Sequence, residues 1–242
     1  MAPYPDLRGH PLRPLVREEV DDWIRVPGGR LATVGDCVPR ELADVAVVLP
    51  PWHTVVGEEP TPVRWDDAAS MLGLEDRAAL VAAQSGATLM PGYERVGDRY
   101  LWVWDRVSPP GDGSLVFWSG EPLRSVLTAH TTTPDELVIG RFVPSADGLH
   151  QVPGIVTESD HAWLTGPLSG AWHPLPRELP HRAGAGVSFP RDHAWYLHVL
   201  EDMNLPFTLV AGSSDLITAL TEHPDLEVVR CRREAILNDP LH

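Results

Sequence analysis

Proline sets the first limit on this chain. Its 25 prolines in 242 residues are about twice the usual share, roughly 5% being ordinary, and they are scattered rather than tandem. Each one removes a backbone donor and stops or kinks a helix, so the chain is confined to many short elements joined by stiff loops. No stretch approaches the ~18 apolar residues that a membrane span needs. The start, Met1-Ala2-Pro3-Tyr4-Pro5-Asp6, lacks the basic region and apolar run of a signal peptide. A soluble cytoplasmic protein is therefore expected. Cys37 and Cys231 are expected to be reduced thiols rather than a disulfide.

Between the prolines, the pattern of apolar residues predicts an α+β fold: mainly antiparallel sheet with a few short helices. Val16 to Val26 has helical spacing before Pro27-Gly28-Gly29 stops it. Val45 to Leu49 is an unbroken apolar run, hence a buried strand ended by Pro50-Pro51, with Thr54-Val55-Val56 as a continuation. Asp66 or Asp67 is placed to cap a helix through Ala69, Met71, Leu72 and Leu74. Gly73 divides that helix from a second, over Glu75 to Ser85. Tyr100 to Trp104 alternates and is expected to pair with Ser114 to Trp118 as a hairpin. Pro122 opens a helix with the stripe Leu123, Val126, Leu127 and His130, and Glu136 to Val143 follows as a strand.

The tail is the clearest part: strands over Trp195 to Leu200 and Phe207 to Ala211, a helix capped by Ser213 or Ser214 and stopped by His223-Pro224, and a strand over Leu226 to Cys231. This C-terminal β-β-α-β unit, 191–242, follows a Pro/Gly/His-rich connection, 144–190. An N-terminal α+β region, 1–143, precedes both, or all three form one domain.

Motifs for chemistry are sparse. A lysine phosphate loop cannot exist, because all 19 basic residues are arginine. Gly184-Ala185-Gly186 starts like a dinucleotide fingerprint, but Pro190 falls where its helix should begin. The 11 histidines include no His-Glu-x-x-His, and His193 and His198 lie five apart, on opposite faces of a strand. No metal and no cofactor are expected. A dispersed ligand site could still be assembled from His130, Trp118, Arg141 and Trp195. Nine tryptophans leave room for an aromatic platform, although core filling is the simpler role for most.

Charge restricts the partners. The net charge is −15, and residues 36–76 carry nine carboxylates against Arg40 and Arg64. Glu58, Glu59, Asp66, Asp67, Glu75 and Asp76 are the candidate partner-binding residues. Such a surface repels phosphate backbones and anionic lipid and attracts a basic protein, so neither nucleic acid nor membrane is expected. The alternative is a solvated face that serves solubility.

Phe189-Pro190-Arg191-Asp192-His193-Ala194-Trp195, Phe207 to Ser213, Leu216-Ile217 and Pro224-Asp225-Leu226-Glu227 together are similar to the C-terminal pattern of a group of uncharacterised actinobacterial proteins. Val63 to Ala69 and Ala129-His130-Thr131-Thr132-Thr133-Pro134 resemble other segments of that group, and a lysine-free composition suits a GC-rich source. Where those proteins carry arginine after Pro-x-Asp, His193 stands here. The group carries no assigned activity, so the resemblance implies origin and fold.

The expected function is a non-catalytic, acidic protein-binding or regulatory protein, such as an immunity protein that neutralises a toxin. The alternatives are an enzyme or small-ligand binder with a dispersed His/Arg/Trp site, and a carbohydrate-stacking module. A pocket joining histidine, arginine and tryptophan favours the ligand binder; a flat acidic face over a filled core favours the first reading.

Overall fold

In a computed structural model of the chain, the described residues are 9, 11–15, 19, 23, 32–54, 61–84, 93–96, 99–102, 107–108, 120–142, 157–158, 161–171, 186–200, 205, 207–237 and 240–241. In chain order the strands and helices begin with β1 (Arg13–Pro14), β2 (Asp44–Val48), β3 (Trp52–Thr54), β4 (Pro62–Val63), α1 (Trp65–Met71) and α2 (Arg77–Gln84). Then come β5 (Tyr93–Val96), β6 (Arg99–Trp102), β7 (Val107–Ser108), α3 (Gly120–Ala129), β8 (Leu137–Phe142), β9 (Thr157–Glu158) and β10 (His161–Gly166). The remainder are α4 (Leu168–Ala171), β11 (Gly186–Pro190), β12 (Trp195–Val199), β13 (Thr208–Gly212), α5 (Ser214–Thr221) and β14 (Val228–Cys231). The fold is α+β, as its proline spacing and apolar runs predict. Among the described residues no helix is long and apolar enough to cross a membrane.

One antiparallel sheet organises the molecule, in the order β1-β10-β8-β11-β12-β13-β2-β14, with β9 also on β10. Its strands come from all three regions of the sequence. β10 and β11, from the stretch expected to be a connection, flank β8, and β12 continues from β11. Residues 144–190 therefore contribute strands to the sheet, since their short apolar islands need cover as much as any longer run. Two smaller sheets accompany it, β4-β3-β7 and β5-β6.

The sheet is covered on both faces, which explains why its inner strands read as continuous apolar runs rather than alternating ones. Val45, Val47, Val138, Trp163, Val187, Phe189, Tyr196, Leu209 and Ala211 point to one face, where Trp52, Trp65, Leu80 and Val81 join them. Ala46, Val48, Ile139, Trp195, Leu197 and Val210 point to the other, under Leu123, Val126 and Leu127 of α3 and Leu216, Ile217 and Leu220 of α5. Successive residues of each strand thus enter different cores. Gly140 makes this packing possible at β8: a Cβ there would lie 2.8 Å from the Trp163 ring.

The tail forms β12, β13, α5 and β14 as its pattern predicts, and Ser213 is the cap, its Oγ accepting the Leu216 N–H at 3.2 Å. The pairing is less local than the sequence suggests. β2 lies between β13 and β14 and is antiparallel to both, with Val48 opposite Thr208 on one side and Val228 on the other. The last two strands are thus parallel to one another with an early strand inserted between them.

β6 pairs with β5, Tyr93 opposite Trp102 and Val96 opposite Arg99; Ser114 to Trp118, its expected partner, lie outside the described residues. The start of α1 is a correction. The two short helices either side of Gly73 are present, and Gly73 takes φ +73, a conformation that glycine adopts without penalty. But Arg64, not Asp66 or Asp67, is the α1 N-cap, and it makes no side-chain cap. Glu227 supplies the acceptor instead: its Oε2 receives the Trp65 N–H at 3.0 Å, while Arg64 reaches the Pro224 carbonyl at 3.1 Å. The Val16 to Val26 helix and Thr54-Val55-Val56 fall largely outside the described residues.

Glu227 gives this junction a pH signature. Burial pushes its carboxyl above the ordinary range, while the Trp65 N–H and Arg77 pull in the opposite direction. Because the folded chain holds this proton more tightly than the unfolded one, the group favours folding most below the ordinary carboxylate range. That contribution is lost as pH rises through the folded pKa. Glu227→Gln keeps an acceptor and removes the titration. Relative to this variant, the native protein is expected to lose stability as pH rises from about 4 to 7, measured by urea denaturation at each pH. A difference that stays flat, or grows with pH, would contradict the assignment.

Candidate functional site

The turn between β11 and β12 begins the site. Pro190 accepts the His193 N–H at 2.9 Å, and His193 has φ +56, the one non-glycine with positive φ among the described residues. Asp192 holds this turn against the segment after α3. Its carboxylate receives the Thr131 hydroxyl at 2.9 Å, the Thr132 N–H at 2.6 Å and the Thr132 hydroxyl at 2.8 Å. Burial works to raise this carboxyl, but those bonds and the Ala194 N–H outweigh it and hold it low. Ala129 to Pro134 and Phe189 to Trp195 thus close on each other, as the segments around Arg64 and Glu227 do at the head of α1.

With the turn fixed, the His193 ring stacks on Trp23, centroids 4.1 Å apart and planes 9° from parallel. Phe189 and Tyr196 meet the same indole edge-to-face, at 5.5 and 6.1 Å, a favoured aromatic geometry. Tyr196 and His198 share a face of β12. His198 is anchored through Nδ1 to the Cys37 carbonyl at 3.1 Å, so the strand is tied to the 3-10 turn Val34–Cys37.

That turn is built by two ionised side chains used inward. Asp36 receives the Thr33 N–H at 2.8 Å, the Ala32 N–H at 3.1 Å and the Thr33 hydroxyl at 2.9 Å, which holds its carboxyl below the ordinary range. Arg233 crosses from the tail and donates to four carbonyls: Leu42 at 2.9 Å, Pro39 and Val38 at 3.1 Å, and Gly35 at 3.4 Å. Such a planar fork suits an array of oxygens that a lysine could not span.

Between the 3-10 turn, the tail and the aromatic group lies a cavity of about 620 Å³, lined by Trp23, Cys37, Val38, Arg40, Tyr196 and Arg233 among others. That volume lies within the ~300–1,000 Å³ of small-molecule sites. Tyr196 is 2% exposed, and it borders this cavity. Burial pushes this phenol's pKa up, and the neighbouring Cys37 adds to the effect, so the hydroxyl remains a proton donor.

Those residues singled out in the sequence that are described lie elsewhere. Trp195 is wholly buried on the opposite face of β12, its Nε1–H donating to the Leu127 carbonyl at 3.1 Å. His130 is half-buried beside it, Nδ1 2.9 Å from the Val126 carbonyl. The fold therefore does bring these two together, as donors to the last turn of α3. Arg141 is a β8 residue paired with Ala162 and Gly186, and Trp118 lies outside the described residues. Asp66, Asp67, Glu75 and Asp76 are exposed. Asp66 accepts the Arg77 N–H at 3.0 Å and Asp76 the Ala79 N–H at 2.9 Å, so both serve α2. Glu58 and Glu59 fall outside the described residues.

Trp23 and Tyr196 were hidden for a physical reason. Strand alternation separates Tyr196 from Trp195, but where both faces are buried it does not say which one borders a cavity. Compared with known proteins, the chain matches no family model, no curated protein and no solved structure.

Proposed function

We propose that this chain is a small-ligand-binding protein whose site is the cavity between Trp23 and Tyr196. The observation that carries the reading is a cavity of ligand size that joins tryptophan, tyrosine and arginine, with histidine stacked behind the tryptophan. This is the combination that favours a ligand binder over a flat acidic face. The residues differ from the dispersed set the sequence suggested, but the class of site is the same. Its test is backbone-amide NMR on addition of quinoline or indole at about 1 mM, an affinity range suited to fragment-sized molecules. Shifts centred on Cys37, Val38 and Tyr196 and on the Trp23 indole are expected. No shift with either compound, or shifts scattered over the surface, would count against the reading.

A second reading, a non-catalytic acidic protein that engages a basic partner, draws support from Met71. It is 49% exposed on α1, one helical turn from Asp67 and close in sequence to Glu75 and Asp76. Apolar contact inside a charged rim is a common composition for a protein interface. Affinity purification at low and high salt tests it: a basic partner lost at high salt is expected, and recovery of none at either salt would refute it.

A further inference from the structure

A second cavity, of about 430 Å³, lies at the head of α1, also within the ~300–1,000 Å³ of small-molecule sites. Its walls include Pro51, Pro62, Pro122 and Pro224, and its ionisable residues are Arg64, Asp225 and Glu227. We infer that this cavity binds a small primary alkylammonium ion, its charge against Glu227 and its chain against the proline rings.

Proline brings a carbonyl and an apolar ring but no N–H, so walls built from it are poor in hydrogen-bond donors. Among the described lining residues Arg64 is the one cation, and it already donates to the Pro224 carbonyl at 3.1 Å. A ligand here must therefore supply the donors itself. The acceptor is Glu227, whose side chain is 10% exposed. Its Oε2 receives the Trp65 N–H at 3.0 Å, and its Oε1 stands 3.6 Å from Arg77 Nη1, an ion pair longer than a hydrogen bond. A carboxylate can accept about four hydrogen bonds, so capacity remains for another donor. Burial outweighs both partners and raises this carboxyl; its ionised form is short of compensating charge, which a bound cation supplies. With Oε2 committed to Trp65, the paired bonds of a guanidinium fork are blocked, and a compact ammonium needs only Oε1. Exposed Asp225 adds negative charge to the same lining. The two cavities share no described lining residue, so each can be tested without the other.

The test is backbone-amide NMR titration at constant ionic strength with butylammonium, butan-1-ol and butyrate, which carry the same chain with a positive, neutral or negative head. Butylammonium is expected to bind the native protein with a dissociation constant of about 1 mM, with shifts centred on Val63, Leu226 and Glu227. It is expected to bind about tenfold more tightly than butan-1-ol, the worth of a charge-assisted hydrogen bond in a partly wet site. Glu227→Gln keeps an acceptor for Trp65 and is expected to remove that tenfold advantage. Asp67→Asn removes an exposed carboxylate from outside the cavity and is expected to leave binding unchanged. Equal weakening by both substitutions would show attraction to net charge alone and overturn the site, as would shifts scattered over the surface. Butan-1-ol or butyrate binding as tightly as butylammonium would overturn the selection for a cation. If Glu227→Gln does not fold, the butylammonium-to-butanol ratio on the native protein still decides the matter. Absence of shifts with butylammonium would refute the inference outright, whatever quinoline and indole do at the other cavity.

Discussion

Trp195→Ala is expected to destabilise the protein by about 4 kcal/mol, as removal of a large side chain from a packed core does. For a chain of this size that corresponds to a melting temperature lower by roughly 8–16 °C. The indole is fully buried between the sheet and α3, and its N–H meets the Leu127 carbonyl. The substitution therefore removes both a large packed volume and a donor to the end of a helix. Trp195→Phe separates the two, keeping most of the volume without the donor, and is expected to cost about half as much. Chemical denaturation of the three proteins measures both quantities. A loss below about 1 kcal/mol for Trp195→Ala would mean that the indole is not part of the core. Neither change should alter binding in the cavity between Trp23 and Tyr196, because Trp195 faces away from it.

Arg233→Ala is expected to cost about 3 kcal/mol. Four carbonyls between Gly35 and Leu42 share its guanidinium. Arg233→Lys is expected to recover less than half of the loss, since one ammonium cannot span the array. Stability alone would not distinguish this clamp from any buried ion. The distinguishing readout is hydrogen exchange: amides of the 3-10 turn and the residues up to Leu42 should lose protection before those of β12 and β13. Uniform loss across the sheet would show that the arginine supports the core generally instead of this turn.

Local pattern revealed whatever a segment could specify by itself. Val45 to Leu49 declared itself a buried strand, Gly73 divided two helices, and Ser213 ended one element and started another. Each depends on chemistry within a few residues. The insertion of β2 between β13 and β14, by contrast, depends on pairings between distant strands, and an apolar strand covered on both faces carries no mark of its neighbours. The α1 cap had the same difficulty: Asp66 and Asp67 sit at the right place in sequence, but Glu227 arrives there through the fold. The β5-β6 hairpin was more accessible, because Gly97-Asp98, between its strands in the sequence, is a two-residue turn signal. The cavity was least accessible. It requires Trp23, the 3-10 turn, β12 and the tail at once, and no spacing rule joins them.

The position of β2 also bears on how the chain is made. β2 is synthesised well before both of its partners, and until they follow Val45 to Leu49 is an unpaired, mostly β-branched, apolar strand. Such late, non-local closure slows folding and leaves an aggregation-prone segment exposed in the interval. The strong acidity around that strand, from Asp36 to Asp76, therefore has a use that requires no partner: like-charged nascent chains repel each other while β2 is still uncovered.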